Sequence, residues 1–569
     1  MDTILSEKIK IVLINLGLGE AEVSLDHPAE SANGDYSSNI AMVLAKNLKR
    51  NPKDFAMEIV EALEKSDIEH VEKIEVAGAG FINFFLKREY FKNTIKDISK
   101  NTDFGRTNIL DGKKVVVEYT DPNPFKEFHI GHLMSNTIGE AISRIYEYNG
   151  ADIKRACYQG DVGLHVAKAI LGMKENTDMP LEDEDINIWA KYLGKCYAKG
   201  ATLYEENDDS KEQVKNINKS IYTKDNEEIN KLYKIGREKS LLYFEEIYKK
   251  LGTKFDFYFF ESNTGEFGKQ VVAKGLEKGI FENGDDGAVV FKGEKYNPKL
   301  HTRVFINSQG LPTYEAKELG LSKIKHDAFP YDESVIITGN EINDYFRVLL
   351  EAMSQIYPDL ASKTRHLSHG MLRLPTGKMS SRTGDVITGE SLLESIGETV
   401  KEKIIEGGKE YQDLENLIND ISVSALKYSV LKQAIGKDIV FDFEKSVSFE
   451  GDSGPYLLYS HARACSVLEK ANNLNIEGNI VLPEESFEIE RHLYRFGDIV
   501  KSAYLEKSPH VIAVYLVEIS RMFNSFYANN QIVNTDDNSS AYKVMLTKAF
   551  KNVLKSGLYL LGIKAPERM

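Results

Sequence analysis

The distribution of apolar and polar residues predicts alternating strands and helices in the central part of the chain. Residues 114–120, KVVVEYT, are rich in β-branched side chains, which is typical of a buried strand. After the turn-forming stretch DPNP, apolar residues at 134, 138, 141, 142 and 145 follow a helical period. Residues 153–160, IKRACYQG, then predict another strand. This order predicts a βαβ unit and a parallel sheet.

The flanking regions have other patterns. Residues 1–100 combine an amphipathic opening helix, a second helical stretch and two alternating segments, which predict a small α/β domain. The segment of about 175–250 is highly charged and helix-prone, so we expect a helical insertion there. From about residue 390 the pattern is mainly helical. Strand-like pieces recur at 255–259, 287–291, 302–306 and 334–339, where we expect the central sheet to resume.

Length and composition restrict the class of protein. A chain of 569 residues is too long for one core, so we expect three or four domains. The net charge of −15 argues against a protein that coats nucleic acid nonspecifically, DNA included, but leaves room for a specific RNA binder with clustered basic residues. The first twenty residues lack the features of a signal peptide, and no apolar run is long enough for a membrane span.

The three cysteines, Cys157, Cys196 and Cys465, lie far apart and form no CxxC pair. This spacing argues against both a disulfide framework and a thiolate zinc site. We therefore expect a reducing, cytoplasmic environment and no protein-only metal site.

One candidate for chemistry is the stretch His129-Ile130-Gly131-His132, at the predicted start of the helix after DPNP. The free N–H groups of a helix N-terminus favour an anion, and histidines there can donate hydrogen bonds to phosphate oxygens. Gly131 lacks a side chain, so a flat base can pack against its backbone. Taken alone, the stretch is equally compatible with an ordinary helix start.

A second candidate lies about 250 residues later, in LPTGKMSSRTGD, residues 374–385. Lys378 and Arg382 in this glycine-punctuated loop are placed to close over a polyphosphate and to stabilise developing charge. A solvated basic loop is the commoner explanation when such a segment occurs alone. A helix-start histidine pair followed by a distant lysine loop is much less expected by chance.

The pair HIGH and KMSS resembles the two nucleotide-binding motifs of class I aminoacyl-tRNA synthetases. The sequence around these motifs is similar to that of the arginyl-tRNA synthetase family. Residues 115–133, VVVEYTDPNPFKEFHIGHL, resemble its E-x-S-S-P-N-x-x-K-E-x-H-x-G-H-L segment. YQGDVGLHV resembles L-G-D-W-G-x-Q, and GLPTYEAKELGL resembles T-Y-x-x-R-D-x-A. The segment from FDFEKS to SHARACSVL, the ending LGIKAPERM, and GDYSSNIAM and GAGFINFFL near the N-terminus also fit the family.

The resemblance implies a Rossmann catalytic domain, an N-terminal α/β accessory domain that binds tRNA and a C-terminal all-α anticodon-binding bundle. We expect four units: residues 1–100, residues 110–395 including the insertion, a helical connection at 396–449, and the bundle at 450–569. The implied reaction forms an aminoacyl-adenylate from L-arginine and ATP, with Mg²⁺ accompanying the ATP. The arginyl group then passes to tRNA(Arg).

The resemblance also implies individual roles. The residues are Lys126, His129, His132 and Lys378 for catalysis; Gly131, Gly160, Asp161, Met379, Ser380 and Arg382 for ATP; Glu118, Asn123, Tyr314 and Glu318 for arginine; and Tyr456, Tyr459, His461 and Arg463 for tRNA. Asn123 would hold the amino or carboxylate end of arginine, and the other three arginine-binding residues would face its guanidinium. A planar cation with five donors independently calls for fixed carboxylates. By periodicity alone, the tyrosines would be packing residues.

The chain departs from the family pattern in the lysine loop. Most class I enzymes have a second lysine there, where this chain has Ser381. Many arginyl enzymes share this loss and have a lysine three residues before the first histidine of HIGH. Lys126 occupies that position, so we expect it to supply the missing charge, with Arg382 as a helper.

Other departures lie on the arginine side. Glu318 and Lys317 stand where the family has Asp and Arg, and the longer carboxylate must shift the pocket or make a less direct contact. Asp121 replaces a common serine and adds negative charge beside the substrate amine. Gly339-Asn340-Glu341-Ile342 lacks the Gln or His that often follows G-A-D in the family, and Asn340 or Glu341 is expected to compensate.

Three alternatives remain at the level of sequence. A synthetase for another amino acid, such as cysteine or glutamate, shares the two motifs, although a cysteine enzyme normally needs zinc ligands. A non-catalytic paralogue that binds tRNA or a partner would tend to lose His129, His132 and Lys378. A small-molecule nucleotidyltransferase shares H-x-G-H but has no need of the helical region at 450–569.

Overall fold

The computed structural model describes residues 1–176, 178–373, 388–407, 411, 413–476, 480–484 and 486–569. The loop residues Lys378, Met379, Ser380 and Arg382 therefore lie outside the described residues. Within these ranges, no helix has both the length and the apolar character required to cross a bilayer.

The N-terminal part forms a small α/β unit. Its elements are α1 (Asp2–Asn15), β1 (Tyr36–Ser38), α2 (Ile40–Leu48), α3 (Pro52–Glu64), β2 (Val71–Ala77), β3 (Phe81–Leu86) and α4 (Arg88–Lys100). The strands form an antiparallel sheet in the order β1-β3-β2. Asn51 caps α3 by accepting N–H bonds, and Pro52 fits the first helical position, where no donor is required. The helical stretch after β1 is therefore divided into α2 and α3 at this proline.

The catalytic part begins with the predicted βαβ unit. Its first elements are β4 (Lys114–Glu118), α5 (Ile130–Tyr148), β5 (Asp152–Gln159), α6 (Leu164–Lys174), α7 (Ile186–Glu206), α8 (Asp208–Thr223), α9 (Glu227–Leu251), β6 (Phe257–Phe260) and α10 (Glu261–Glu277). Three helices, α7 to α9, fill the charged segment between β5 and β6, so the predicted helical insertion is confirmed.

The chain then leaves the central sheet and returns to it. The next elements are β7 (Glu282–Asn283), β8 (Val289–Lys292), β9 (Thr302–Ile306), α11 (Tyr314–Ala328), β10 (Glu333–Gly339), α12 (Asn343–Ile356), α13 (Pro358–Lys363), β11 (Thr364–His369) and β12 (Leu372–Arg373). The expectation that 287–291 and 302–306 continue the central sheet is wrong. They form a separate antiparallel sheet, because the short connection between them has no crossover helix with which to reach a parallel partner.

The central sheet has five parallel strands in the order β11-β10-β4-β5-β6. The chain winds from β4 in one direction through β5 and β6, and afterwards in the other through β10 and β11. The strand order therefore reverses between β4 and β10. In open α/β sheets ligands bind beyond the carboxyl ends of the strands at such a reversal. The DPNP–HIGH segment follows β4 at this point, which confirms the predicted Rossmann-type architecture.

The C-terminal part is helical, as predicted. Its elements are α14 (Gly389–Glu406), α15 (Leu414–Leu431), β13 (Ile439–Val440), α16 (Phe443–Ser446), α17 (Gly454–Asn473), α18 (Glu490–Leu493), α19 (Phe496–Leu505), α20 (His510–Asn529) and α21 (Ser540–Leu560). One apolar core runs continuously from the central sheet into these helices. Ile95 and Ile98 of α4 pack in the same core, so α4 joins the N-terminal unit to the bundle.

A buried lysine connects the insertion to the end of the chain. The Nζ of Lys427, on α15, donates to the carbonyl oxygens of Leu251 at 2.7 Å and Gly562 at 2.8 Å. These carbonyls lie at the C-terminal ends of α9 and α21, where helix carbonyls lack intrahelical donors and a cation is favourable. Lys427 therefore connects, by hydrogen bonds, the ends of α9 and α21, which are distant in sequence.

Candidate active site

The turn after β4 has an unusual backbone conformation. Thr120, Asp121 and Phe125 all have positive φ, at 82°, 45° and 68°. Such conformations are costly for residues with side chains, and they persist where the surroundings hold them. The N–H of Thr120 donates to Ser135 Oγ at 2.9 Å, and Asn136 Nδ2 donates to Thr120 Oγ1 at 3.0 Å. The helix that begins at HIGH thus holds the turn that precedes it.

The two histidines of HIGH form the N-terminal cap of α5. His129 is the N-cap residue, and its Nδ1 accepts the N–H of Gly131 at 3.1 Å. Nδ1 of His132 in turn accepts the N–H of His129 at 3.3 Å, which completes a reciprocal capping box. A neutral imidazole that accepts at Nδ1 carries its proton on Nε2. Both rings therefore have an Nε2–H donor that the cap does not use.

The surroundings keep both histidines neutral near pH 7. Burial, followed by the charge of Lys126, lowers the pKa of His129. Burial and the neighbouring His129 lower the pKa of His132 well below its ordinary value. The rings are stacked with centroids 3.5 Å apart, an arrangement that disfavours two positive charges. They are consequently poised as neutral hydrogen-bond donors.

Lys126 lies among the histidines, as its position in the motif predicts. Its Nζ is 4.6 Å from the ring centroid of Tyr197 on α7, a cation–π contact that orients the side chain. Burial and the charge of Lys126 also lower the pKa of His165 to about 4. One ammonium group thus acts on three imidazoles at the start of α5 and α6.

Gly160 and Asn123 meet between the two halves of the site. A Cβ on Gly160 would overlap Oδ1 of Asn123, so only glycine permits this approach. His165 Nε2 lies 2.8 Å from the carbonyl oxygen of Gly160 and donates to it. The predicted ATP-side glycine and the predicted arginine-side asparagine are therefore in direct proximity.

Asp161 is fully buried and has protein partners on both carboxylate oxygens. The donors are the hydroxyl of Tyr233 at 3.1 Å, Nε of Arg237 at 2.9 Å, and the N–H and hydroxyl of Ser262 at 2.9 and 2.8 Å. These contacts tie the loop after β5 to α9 and to the start of α10. The structure thus places Asp161 behind the predicted nucleotide side as an organiser of the loop.

The predicted arginine side is rich in paired charges. Glu118, at the end of β4, accepts from Lys325 Nζ at 2.7 Å, and both side chains are only 2% exposed. Glu261 accepts from Lys317 Nζ at 2.5 Å. Glu318 lies in the first turns of α11, partly exposed, and burial followed by the charge of Glu118 raises its pKa. Three carboxylates from β4, α10 and α11 therefore converge here.

Tyr314 and Asp121 border this charged cluster. Tyr314 is exposed, and the Nζ of Lys317 lies 5.2 Å from the centroid of its ring. Asp121 Oδ1 accepts the N–H of Tyr158 at 2.7 Å, which connects the strained turn to β5. Burial and the charge of Glu118 raise the pKa of Asp121 well above its ordinary value. The carboxylate of Asp121, which stands where the family has a common serine, therefore accepts a hydrogen bond within the protein.

Residues on either side of the lysine loop place its ends. Before it, β12 pairs with β13. After it, Thr388 forms a bridge with His129, and the N–H of Gly389 donates to the carbonyl oxygen of Phe128 at 2.6 Å. The chain that leaves Lys378 therefore re-enters the described fold directly beside the first histidine of HIGH.

The predicted tRNA residues fall into two groups. Arg463 lies between two rings, with its guanidinium carbon 4.7 Å from the centroid of Tyr459 and 4.9 Å from that of Tyr527. These residues line an open groove of about 580 Å³. Asn524 connects Arg463 to the hydroxyl of Tyr456, to which it donates at 3.0 Å. His461, by contrast, is buried and donates from Nδ1 to the carbonyl oxygen of Pro566 at 2.9 Å.

Several site residues escaped the sequence analysis. Glu261, Lys325 and His165 were not singled out, and Lys317 was noted only as a departure. Glu261 follows β6 directly, and a charged residue at the carboxyl end of a parallel strand is a usable signal. Lys325 has no such signal, because its partner Glu118 lies 207 positions away.

The chain matches models of known families over three ranges. The model described as "tRNA synthetases class I (R), catalytic domain" matches residues 94–443. "Arginyl tRNA synthetase N terminal domain" matches residues 3–86, and "DALR anticodon binding domain" matches residues 457–569. The chain belongs to the arginyl-tRNA synthetase family. This membership decides against a synthetase for another amino acid and against a small-molecule nucleotidyltransferase.

Curated arginine–tRNA ligases are similar over nearly their whole length. The proteins of Borreliella afzelii and Treponema denticola are each 30% identical to this chain. They cover 98% and 96% of it, and are themselves covered to 98% and 95%. That of Fusobacterium nucleatum is 33% identical over 94% of this chain and 93% of its own length.

Solved structures of the family have the same fold. Thermus thermophilus arginyl-tRNA synthetase superimposes with a TM-score of 0.82, at 23% identity and full coverage of both chains. The Plasmodium falciparum enzyme gives a TM-score of 0.80 at 21% identity, with 99% of each chain covered. The three-part architecture of this arginyl-tRNA synthetase family member is therefore that of known relatives.

Proposed function

We propose that this chain activates L-arginine with ATP and transfers it to tRNA(Arg), and that the site beyond β4 and β10 performs the first step. The observation that supports this proposal is the contact of Asn123 with Gly160. Through this contact, a helix start suited to phosphate and a carboxylate cluster suited to a guanidinium belong to one site. An amino-acid carboxylate held at this junction faces the nucleotide side.

In the first step, a carboxylate oxygen of arginine attacks the α-phosphorus of ATP. The bond to the bridging oxygen breaks, and its electron pair leaves with diphosphate. The Nε2–H groups of His129 and His132 donate to phosphate oxygens on which charge accumulates, while Lys126 and Lys378 add positive charge. Because the histidines are neutral, their hydrogen bonds strengthen as the transition state forms without first attracting a competing anion.

The nucleotide lies over Gly131 and beside Gly160, with Met379, Ser380 and Arg382 contributing from the lysine loop. Asp161 acts from behind by holding the loop after β5. We expect Mg²⁺ to accompany the ATP, where it would add positive charge beside the phosphates.

The arginine binds across Asn123. Its guanidinium meets Tyr314 and Glu318, with Glu118 behind, and Asn123 holds its amino or carboxylate end. Glu318 replaces the shorter aspartate of the family pattern. A flexible carboxylate at the start of α11 matches the fork of the guanidinium donors.

In the second step, a hydroxyl of the terminal ribose of tRNA attacks the arginyl carbonyl, and AMP leaves. The bundle at 450–569 reads the anticodon, and the accessory unit at 1–100 binds the body of the tRNA. In the bundle, the sandwich of Arg463 between Tyr459 and Tyr527 offers stacking surfaces for unpaired bases. Tyr456 supports Asn524, and the buried His461 fixes the C-terminal tail from within the bundle.

We also propose that the chain works in the cytoplasm. Its three cysteines are free thiols, two of them buried, as expected for a reducing compartment. Residues 396–449 connect the catalytic domain of 110–395 to the bundle.

The test is charging of total tRNA with each labelled amino acid in the presence of Mg²⁺ and ATP. We expect label to be esterified only from arginine, and no charging without ATP. Charging with another amino acid would refute the assigned substrate. Absence of any charging by the folded protein would favour a non-catalytic paralogue. His129→Asn serves as the matched control, because asparagine still caps a helix but lacks the Nε2 donor.

A further inference from the structure

The carboxylates of the guanidinium site differ in whether they have a cationic partner. Glu118 is paired with Lys325 at 2.7 Å, and Glu261 is paired with Lys317 at 2.5 Å. Glu318 has no hydrogen bond or ion pair within the part of the chain that the structure describes. Among the described residues, the site therefore contains two carboxylates in ion pairs and one, Glu318, whose oxygens can accept hydrogen bonds from a ligand.

The ion pair of Glu118 and Lys325 is almost completely shielded from solvent. Both side chains are 2% exposed, so water does not screen their attraction. Burial disfavours the charge on Lys325, yet Glu118 outweighs burial and the pKa of Lys325 is raised. The lysine consequently remains charged. The titratable and charged groups around it are Glu118 on β4, Asp121 and Tyr158 at the ends of β4 and β5, Lys317 and Glu318 on α11, Glu261 on α10, and Tyr331 before β10.

The charges of this group have a simple sum. With a guanidinium bound at Glu318, Glu118 and Glu318 contribute two negative charges and Lys325 one positive charge, and the Glu261–Lys317 pair adds none. Asp121 is counted as protonated, because burial and the charge of Glu118 raise its pKa well above the ordinary value. The sum of minus one matches a single guanidinium. Without Lys325, two facing carboxylates would repel each other, and one of them would take up a proton near neutral pH.

We propose that Lys325 is a positioning and specificity-determining residue for arginine: it fixes Glu118 and sets the charge of the guanidinium site to minus one. The inference rests on the proposed function of Glu318 and extends it to a residue outside the motifs. Lys325 acts through Glu118 and does not touch the substrate. Its ammonium also occupies the place where the side-chain ammonium of a lysine substrate would pair with Glu118, so the site favours the broader guanidinium at Glu318.

The test is a double-mutant cycle in tRNA charging with arginine. Lys325→Met leaves Glu118 without its cation, so that Glu118 and Glu318 share a proton near neutral pH, and Glu118→Gln leaves no net negative charge for the substrate. We expect each single change to raise the KM for arginine about tenfold, with the KM for ATP unchanged. The double variant Glu118→Gln/Lys325→Met restores the charge of minus one. We expect its KM to be at least about threefold below that of either single variant.

The decisive result is that the effect of Lys325→Met on the KM for arginine has opposite signs in the natural chain and in Glu118→Gln. Removing the lysine harms arginine binding in the natural background and improves it when Glu118 is already glutamine. A double variant no better than Lys325→Met overturns the proposal, as does a KM unchanged by Lys325→Met. The double variant removes one positive and one negative charge together and leaves no unpaired charge at positions 118 and 325, so it keeps the test available if a single variant does not fold. Arg303→Met is the matched control. It breaks the 3.2 Å ion pair between Arg303 on β9 and Glu315, which lies on the same helix as Lys325.

A pH series separates charge balance from simple loss of structure. In Lys325→Met, the KM for arginine should fall as the pH rises from 6 to 8, because the proton shared by the carboxylates must leave before the guanidinium binds. Lys325→Arg keeps the charge and should keep the natural profile. A Lys325→Met profile identical to that of the natural chain also counts against the proposal. If the natural chain charges tRNA with another amino acid, the proposed function itself fails, whatever the cycle shows.

Discussion

The two halves of the proposed active site, one for phosphate and one for the guanidinium, are built by different means. The phosphate half is a local structure: residues 126–132 place one lysine and two neutral histidines around a helix start, and backbone N–H groups fix the imidazole tautomers. The guanidinium half gathers charged side chains from β4, α10 and α11, and most of them are already paired. One half offers neutral donors, and the other offers a fixed charge.

This difference suggests a division of labour. Neutral donors gain strength as negative charge accumulates at phosphorus, so changes in the phosphate half should act mainly on kcat. A fixed negative charge attracts the guanidinium equally in the ground state and the transition state. Changes in the guanidinium half should therefore act mainly on the KM for arginine.

The largest expected effect tests the phosphate half. His129→Asn should lower kcat by about 10²–10³-fold and leave the KM for arginine within about threefold, because one transition-state donor is lost while the cap is retained. Steady-state charging at varied arginine concentration measures both values. A loss confined to the KM for arginine would contradict the division.

The second effect tests the guanidinium half. Glu318→Gln should raise the KM for arginine about thirtyfold with kcat changed less than about threefold, since it removes the carboxylate without an internal partner. The same charging assay serves as the measurement. Glu318→Asp, which restores the family residue, is the control and should remain near the natural KM. If Glu318→Gln lowered only kcat, the two halves would not differ as proposed.

A smaller effect concerns the lysine that precedes HIGH. Lys126→Ala should lower kcat about tenfold and raise the pKa of His129, because the charge of Lys126 helps to hold that pKa down. NMR titration of the imidazole signals measures the shift, and Lys126→Arg should leave it in place. An unchanged pKa would show that burial alone keeps the histidine neutral.

The smallest effect compares two buried lysines. Lys325 has a carboxylate partner, whereas the hydrogen bonds of Lys427 within the described ranges go to carbonyl oxygens. Burial lowers the pKa of Lys427 to about 7. Between this pKa and the higher one of an unfolded lysine, only the unfolded chain retains the proton. Stability should therefore rise with pH above 7, by up to about 1.4 kcal/mol per unit.

Lys427→Met should abolish this dependence. The measurement is the difference in free energy of unfolding between the natural chain and Lys427→Met in urea, from pH 7 to 9. We expect the difference to move in favour of the natural chain as the pH rises. A difference that stays flat would mean that Lys427 keeps its charge, and that carbonyls alone balance a buried ammonium as well as Glu118 does.

Most of the architecture was predictable because its signals are local. The strand at 114–118, the helix after HIGH and the helical insertion each follow from a run of residues with one period. The segments of β8 and β9 were predicted to belong to the central sheet, which is wrong, because a strand's composition does not reveal its partner. Tyr459 and His461, two positions apart, were both predicted to contact tRNA, yet one lines the groove and the other is buried.

By itself, the sequence determined the family and the reaction. It also predicted the phosphate half of the proposed site, since a helix cap depends on residues within one turn of each other. Only the tertiary structure decided the charge of the guanidinium half. Glu118 and Lys325 are 207 positions apart and Glu261 and Lys317 are 56 apart, and no periodicity relates such positions. Whether a buried carboxylate is free or already paired depends on which strands and helices pack together, and that is a property of the fold.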